Sequence, residues 1–312
     1  MAVVAIVAPV FVLIALGYAA ARLRWVGPNT LGGLNEFAFT LAMPALLFKT
    51  TADPGDQSAS AFGVVAAYFG AIAATWLLAT LITRFLLRRP REDAASIAVT
   101  SVYGNAVMLG IPLAFAAFGT AAAGPLSVIL SLNTVVLWCA GLLHAALAGA
   151  RSTAALRPAL IGLVRDLVSN PLILAIFAGA LWRSTGLGLA PVVERCLALI
   201  AQAGVPCALV ALGMTLTGFA IKGQAATLAT VLVLKLAIQP LIAWLLAAQL
   251  LQLPGPSVGV IVLLAAMPAG ANAYLFAERE QRAVNSASGA VALGSLVSVA
   301  TTTALIVLLG AA

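Results

Sequence analysis

Apolar residues follow the chain in runs of about twenty, separated by short polar stretches. Hydrophobic residues make up 63% of the 312 positions, and charged residues only 8%. A run of about 20 apolar residues is long enough for a helix to cross the hydrocarbon core of a membrane. The pattern predicts an all-α integral membrane protein with ten transmembrane helices, at roughly 2–21, 31–51, 60–86, 94–118, 123–149, 168–185, 191–217, 224–250, 257–278 and 284–310.

Lysine and arginine are distributed unevenly between the two sides of the predicted membrane. The connections after the odd-numbered spans contain 12 of the 16 basic residues, and the other connections contain 3. Because cytoplasmic loops carry the excess of basic residues, we expect the first set to face the cytoplasm. Both termini would then be extracytoplasmic in a bacterial inner (plasma) membrane. The net charge of +7 then reflects topology and contact with anionic membrane lipid, so no nucleic-acid partner is expected.

The predicted spans divide into two halves of five, which form a first repeat at 1–149 and a second at 168–312. The linker at 150–167 places its leucines on one helical face and Arg157 and Arg165 on others, which is typical of an interfacial helix on the cytoplasmic surface. Because five is an odd number, the two halves enter the membrane from opposite sides. Similar halves of this kind form an inverted repeat.

The fourth and ninth spans contain residues that disturb a helix near the middle of the membrane. The fourth reads GNAVMLGIP at 104–112, and the ninth reads AAMPAGANAYLFA at 265–277. Proline removes one backbone donor and frees the carbonyl one turn earlier, and an unpaired polar group costs several kcal/mol in hydrocarbon. The broken stretches should therefore face protein or water, where the N-termini of half-helices suit an anionic group such as a carboxylate.

The predicted substrate site is where these two interruptions meet, together with one cation at similar depth. Its residues are Gly104, Asn105, Pro112, Lys235, Pro268, Gly270 and Asn272. Lys235 has two interpretations: a cationic contact for an anionic substrate, or a structural hydrogen bond to a carbonyl or to Gln239 one turn away. Gln202 and Asn133 are candidates for lining the cavity, and Gln202 and Gln239 are candidates for coupling or for the cavity. Glu36 is either a coupling site or an interfacial carboxylate.

Motifs of the common enzyme and metal-binding classes are missing from the sequence. A single histidine cannot form H-E-x-x-H, no Walker A motif occurs, and no carboxylates cluster within a predicted span. The three cysteines lie in apolar runs without metal-ligand spacing. We therefore expect no enzyme activity, no metal and no cofactor, with H⁺ or Na⁺ left open as a coupling ion.

Three segments resemble the auxin efflux carrier family, which includes bacterial transporters and the plant PIN carriers. They are LNEFAFTLAMPALLF at 34–48, GNAVMLGIPLA at 104–114 and AAMPAGANAYLFA at 265–277. The resemblance in spacing and span count extends along essentially the whole chain. It implies inverted repeats whose fourth and ninth spans cross at their breaks, with Asn105 and Pro112 in one crossing motif and Pro268 and Asn272 in the other.

The resemblance also implies a mechanism. Spans one, two, six and seven would form a scaffold through which the protein forms a homodimer, and the other spans would move as an elevator. The expected function is secondary active transport of a small organic anion, a mono- or dicarboxylate similar to malonate or malate. A passive channel or uniporter, and a membrane sensor that binds a metabolite without moving it, remain alternatives on the same fold.

Two features depart from the plant carriers. The connection between the halves is short here, whereas the plant proteins have a long cytoplasmic loop. The third predicted span contains no Asp or Glu that could pair with Lys49, so a proton role like that of the plant pair has no support. Substrate identity, direction of transport and coupling ion therefore stay open.

Overall fold

The computed structural model describes residues 2–27, 29–52, 60–149, 161–162, 165, 168–220 and 223–309. Within these ranges the chain forms helices and their connections, with no β-strand, which confirms the all-α prediction. The main helices are α1 (Ala2–Arg22), α2 (Thr30–Ala52), α3 (Ala61–Leu86), α4 (Asp93–Val102), α5 (106–118), α6 (Ala123–Leu147), α7 (Pro171–Ser184), α8 (Pro191–Leu216), α9 (Ala225–Leu250), α10 (Gly255–Ala265), α11 (Ala271–Glu280) and α12 (Val284–Leu308).

Six helical segments in the described part of the chain are long and apolar enough to cross a membrane. They are Thr30–Ala52, Ala61–Leu86, Ala106–Leu147, Pro191–Leu216, Ala225–Leu250 and Val284–Leu308. Shorter apolar helices coincide with the remaining predicted spans. Large apolar side chains such as Phe62 and Leu308 are 79% and 82% exposed, as expected for a surface that lipid covers. The chain is therefore a multi-pass membrane protein.

Helices α1, α2, α7 and α8 form one group of packed elements. The backbones of α1 and α8 approach so closely that a Cβ on Gly17 would lie 2.1 Å from the carbonyl oxygen of Val210. A Cβ on Gly213 would lie 1.9 Å from the carbonyl oxygen of Ile14. Small residues permit this kind of close approach between membrane helices, so the two glycines determine the packing distance of α1 and α8.

A second group of contacts surrounds α4. This helix packs against α3, α6 and α11, and α3 also packs against α9 and α10. All ten residues of α4 are buried, so protein rather than lipid surrounds it. At its first residue, the Asp93 carboxylate lies 3.4 Å from Arg89 Nε and 3.9 Å from an Arg282 guanidinium nitrogen. The pair with Arg282 connects the start of α4 to the chain that follows α11.

The fourth and ninth predicted spans are both interrupted, but Pro112 does not interrupt the fourth. Residues 103–105 separate α4 from α5, and residues 266–270 separate α10 from α11. Pro268 lies within the second interruption, whereas Pro112 lies inside the helical stretch Ile111–Phe118. A π-helical turn, Ala106–Gly110, comes directly before that stretch. Because such a turn already departs from α-helical hydrogen bonding, we infer that it accommodates the missing N–H of Pro112 without ending the helix.

Part of the predicted linker lies outside the described residues. Of 150–167, the structure describes only 161–162 and 165, so the interfacial helix and the contacts of Arg157 are not among the observed features. The division into repeats at 1–149 and 168–312 stays a prediction.

Candidate substrate-binding site

The two interruptions lie side by side and pair through their backbones. Gly104 and Ala269 form an isolated antiparallel bridge. The Asn105 N–H donates to the Pro268 carbonyl oxygen at 2.8 Å, and the Gly270 N–H donates to the Tyr103 carbonyl oxygen at 3.0 Å. These bonds pair groups that the interruptions would otherwise leave unsatisfied. The pairing therefore fixes where α5 and α11 begin relative to each other.

A cavity of about 340 Å³ lies against this pairing. Its volume is within the range of roughly 300–1,000 Å³ that is usual for small-molecule sites. Its polar side chains are Tyr103, Asn105, Asn133, Thr134, Asn170 and Asn272. No Asp, Glu, Lys or Arg belongs to the lining that the structure describes. An occupant would therefore meet amides, hydroxyls and backbone groups, but no formal charge.

Three helices begin at the cavity wall. Asn105 precedes α5, Asn170 precedes α7, and Gly270 precedes α11. The N-terminus of a helix carries unpaired N–H groups and a partial positive charge. Gly270 offers no side chain to cap α11, and the N–H groups of Ala271 and Asn272 have no acceptor among the described residues. These two donors remain available to an anion.

Three asparagines of the lining have their amide oxygens occupied by protein donors. Asn105 Oδ1 accepts from the Met108 N–H at 3.2 Å. Asn170 Oδ1 accepts from the Leu172 N–H at 2.9 Å. Asn133 Oδ1 accepts from the Tyr68 hydroxyl at 3.3 Å. In each case the NH₂ group has no partner among the described residues, so each of these side chains has hydrogen-bond donors available to an occupant of the cavity.

Asn272 belongs to a separate hydrogen-bond chain at the cavity. Its Nδ2 donates to the Tyr103 hydroxyl at 3.0 Å, and that hydroxyl donates to Thr134 Oγ1 at 3.1 Å. The chain connects α11 to the interruption before α5 and to α6. Asn272 is thus positioned by the residues that it touches, and its Oδ1 has no donor among the described residues.

The predicted site residues separate into two groups in the structure. Gly104, Asn105, Asn133, Gly270 and Asn272 line the cavity. The others do not line it, and they are Glu36, Pro112, Gln202, Lys235, Gln239 and Pro268. Gln202 lines a different cavity of about 400 Å³, together with Lys49. Pro268 contributes to the pairing through its carbonyl oxygen, which accepts from Asn105.

Lys235 makes the hydrogen bonds to a carbonyl and to Gln239 that its structural interpretation predicts. Its Nζ donates to the carbonyl oxygen of Ala265 at 2.6 Å and to Gln239 Oε1 at 2.7 Å. The side chain is 1% exposed. Gln239, predicted as a candidate for coupling or for the cavity, is fully buried and acts as an acceptor for this ammonium.

Three polar residues of the lining were not among the sequence-based candidates: Tyr103, Thr134 and Asn170. For Asn170 a signal exists, because Asn followed by Pro171 is the usual N-cap and first residue of a helix. This signal predicts where a helix starts, but not that the start faces a cavity. Tyr103 and Thr134 carry no local signal, because their pairing depends on the packing of α6 beside the first interruption.

Comparison with known proteins identifies the family. Residues 2–306 match the family model described as "Membrane transport protein". The chain is also 30% identical over 311 residues to a protein of Rhizobium meliloti (strain 1021) named "Putative malonate transporter". The aligned region covers 97% of this chain and 95% of that protein. A family of transporters agrees with the expectation that the chain is not an enzyme. The resemblance seen in the motifs is confirmed, and the chain belongs to the auxin efflux carrier family of membrane transport proteins.

Proposed function

We propose that this protein is a secondary active transporter of a small organic anion, a mono- or dicarboxylate similar to malonate or malate. The substrate would bind in the cavity beside the paired interruptions. The single observation that carries the proposal is the polarity of this cavity, which offers unpaired N–H and NH₂ donors and has no carboxylate in its described lining. The name of the Rhizobium relative supports malonate as the first substrate to test.

The donors suit a carboxylate because its two oxygens accept several hydrogen bonds at once. The N–H groups of Ala271 and Asn272 lie at the positive end of α11, and the NH₂ group of Asn105 lies at the start of α5. Hydrogen bonds to a charged group contribute more than neutral ones, about 1.5–3 kcal/mol each. A donor set without a formal charge would bind the anion with moderate strength, which suits a carrier that must also release it.

The proposed movement is an elevator-type alternating access. In this proposal α1, α2, α7 and α8 form the scaffold, and the elements around the two interruptions move as the transport part, with α5 and α11 starting at crossover breaks of two inverted repeats. Packing within each of these two groups is more extensive than packing between them, which supports the proposal. The cavity contains Asn105 from the moving group and Asn170 from the scaffold group, so relative movement would change the site.

Several finer features belong to the same proposal. The scaffold helices would also form the homodimer, and the protein would lie in a bacterial inner membrane with both termini extracytoplasmic. Among the described residues the cavity has no titratable carboxylate, so a carboxylate that couples transport to H⁺ would lie elsewhere in the chain. Na⁺ is the other candidate coupling ion, and no other cofactor is proposed.

The test is uptake of labelled malonate by purified protein in liposomes. Accumulation against the malonate gradient, driven by an imposed H⁺ or Na⁺ gradient, is the expected result. Asn105→Ala and Asn272→Ala should abolish uptake, whereas Asn285→Ala, at an exposed position at the start of α12, should leave it unchanged.

The other functions on this fold would give different results in the same assay. Flux that only dissipates a gradient would identify a channel or uniporter. Tight binding without flux would identify a sensor. Failure of the wild-type protein to bind or move any mono- or dicarboxylate would refute the proposal.

A further inference from the structure

Lys235 is a buried lysine directly behind the wall of the cavity. Gly104 belongs to the lining, and a Cβ on Gly104 would lie 3.1 Å from both Cε and Nζ of Lys235. Lys235 itself does not line the cavity. A wall that is one glycine residue thick therefore separates the ammonium from an occupant.

The surroundings of Lys235 hold its amino group through two hydrogen bonds to neutral acceptors. A buried ammonium costs several kcal/mol unless it is paired or hydrated. Both of its acceptors are neutral, and in the described part of the chain it forms no salt bridge. Gln239 directs its oxygen towards the ammonium, and its Nε2 is left buried without a partner. This arrangement is difficult to explain if Lys235 only fills space.

The position of Ala265 gives the ammonium one role. Ala265 is the last residue of α10, and the carboxyl end of a helix has unpaired carbonyls and a partial negative charge. The bond from Nζ satisfies one of these carbonyls at the point where the helix is interrupted. Because the interruption continues into Pro268 and Gly270, the bond also holds the segment that pairs with Asn105.

We propose that Lys235 is a positioning residue that acts as a fixed internal cation of the carrier. It holds the carboxyl end of α10, and through the thin wall at Gly104 it raises the affinity of the cavity for anions without touching them. This inference rests on the proposed function. For two unit charges about 10 Å apart at an effective dielectric constant of about 20, the attraction corresponds to on the order of tenfold in binding.

The test compares malonate with malonate monoamide, which has one carboxylate fewer, by calorimetric titration of the purified protein. In Lys235→Gln the charge is lost and an amide donor remains. We expect the dissociation constant for malonate to rise by about tenfold or more, and that for the monoamide to rise less. The preference for the dianion should therefore fall. Lys49→Gln is the matched control, because Lys49 is partly exposed and does not line this cavity.

If Lys235 had a purely structural role, its replacement would raise the dissociation constants of malonate and of the monoamide by the same factor. An unchanged ratio of the two constants would overturn the fixed-cation role alone. Absence of binding to the wild-type protein would instead refute the proposed function, so the two failures are distinguishable. Where Lys235→Gln does not fold, Lys235→Ala is assayed for malonate uptake with methylammonium or sodium chloride. Restoration by the small ammonium ion is expected, and a folded variant that neither salt restores would also overturn the role.

Discussion

Replacing Asn105 by aspartate separates two tasks of this side chain. Its Oδ1 caps α5 by accepting from the Met108 N–H, and its NH₂ group is available to the substrate. Aspartate is as good an N-cap as asparagine, and a negative charge is favourable at a helix N-terminus. Asn105→Asp should therefore preserve the start of α5 while it replaces the donor by an anion.

The expected loss of binding follows from two terms. A hydrogen bond from the NH₂ group to a carboxylate is worth about 1.5–3 kcal/mol. Two like charges about 4 Å apart, at an effective dielectric constant of about 20, repel by about 4 kcal/mol. The lost hydrogen bond, even together with only part of the charge repulsion, corresponds to a loss of malonate affinity of at least about a hundredfold.

Asn105→Ala provides the comparison, because it removes the cap and the donor together. Loss of an N-cap costs about 0.5–2 kcal/mol of stability, so the alanine variant should melt at a lower temperature than wild type and the aspartate variant should not. Malonate affinity by calorimetry and melting temperature in detergent are the two measurements. Asn285→Asp, at an exposed position, controls for the added charge.

If Asn105→Asp instead bound malonate within about threefold of wild type at unchanged stability, a negative charge at position 105 would not oppose binding, and the carboxylate would not bind beside this residue.

Two further predictions concern glycines at close backbone contacts. In Gly270→Ala the new Cβ would lie 3.1 Å from Asn105 Cα and would push the two interruptions apart. Uptake should therefore fall about tenfold, as expected when a hydrogen bond worth about 1.4 kcal/mol is lost. Gly33→Ala, whose Cβ meets nothing within 4 Å, should not change uptake. In Gly213→Ala the new Cβ would lie 1.9 Å from the Ile14 carbonyl oxygen, and overpacking of this kind costs about 1–3 kcal/mol. The melting temperature should therefore fall, unlike that of Gly188→Ala, and an unchanged value would mean that α1 and α8 do not pack as closely as described.

The sequence predicts the interruptions well because their causes are local. Gly104, Asn105 and Gly270 are poor helix formers, and in an apolar span they mark a place where the backbone needs other partners. Pro112 shows the limit of this reasoning. Proline disturbs a helix through its missing N–H and through the clash of its ring with the carbonyl one turn earlier, and here the preceding turn Ala106–Gly110 is already π-helical and therefore wider. The wider turn is a property of the folded backbone, and the order of residues does not predict it.

The cavity itself could be predicted only in part, because its donors come from distant positions. Asn105, Asn170 and Asn272 lie in three separate elements, and their shared location depends on how α7 packs beside the interruptions. The orientation of each amide is a second property that depends on tertiary contacts. The Tyr68 hydroxyl, on another helix, donates to the amide oxygen of Asn133 and leaves its NH₂ group for the cavity.

In the proposed mechanism, the placement of Lys235 suits a carrier of anions. A cation in direct contact with a carboxylate inside a low-dielectric site would hold it strongly, and a carrier must bind its substrate firmly enough to select it and weakly enough to release it. Here the direct contacts available are amide and backbone donors, and the ammonium of Lys235 lies behind Gly104 with its own acceptors. In the proposed mechanism the amide and backbone donors select the carboxylate by the geometry of their hydrogen bonds. The charge of Lys235 adds an attraction that decreases gradually as the substrate leaves. Such a division allows selectivity for anions without a single contact strong enough to trap them.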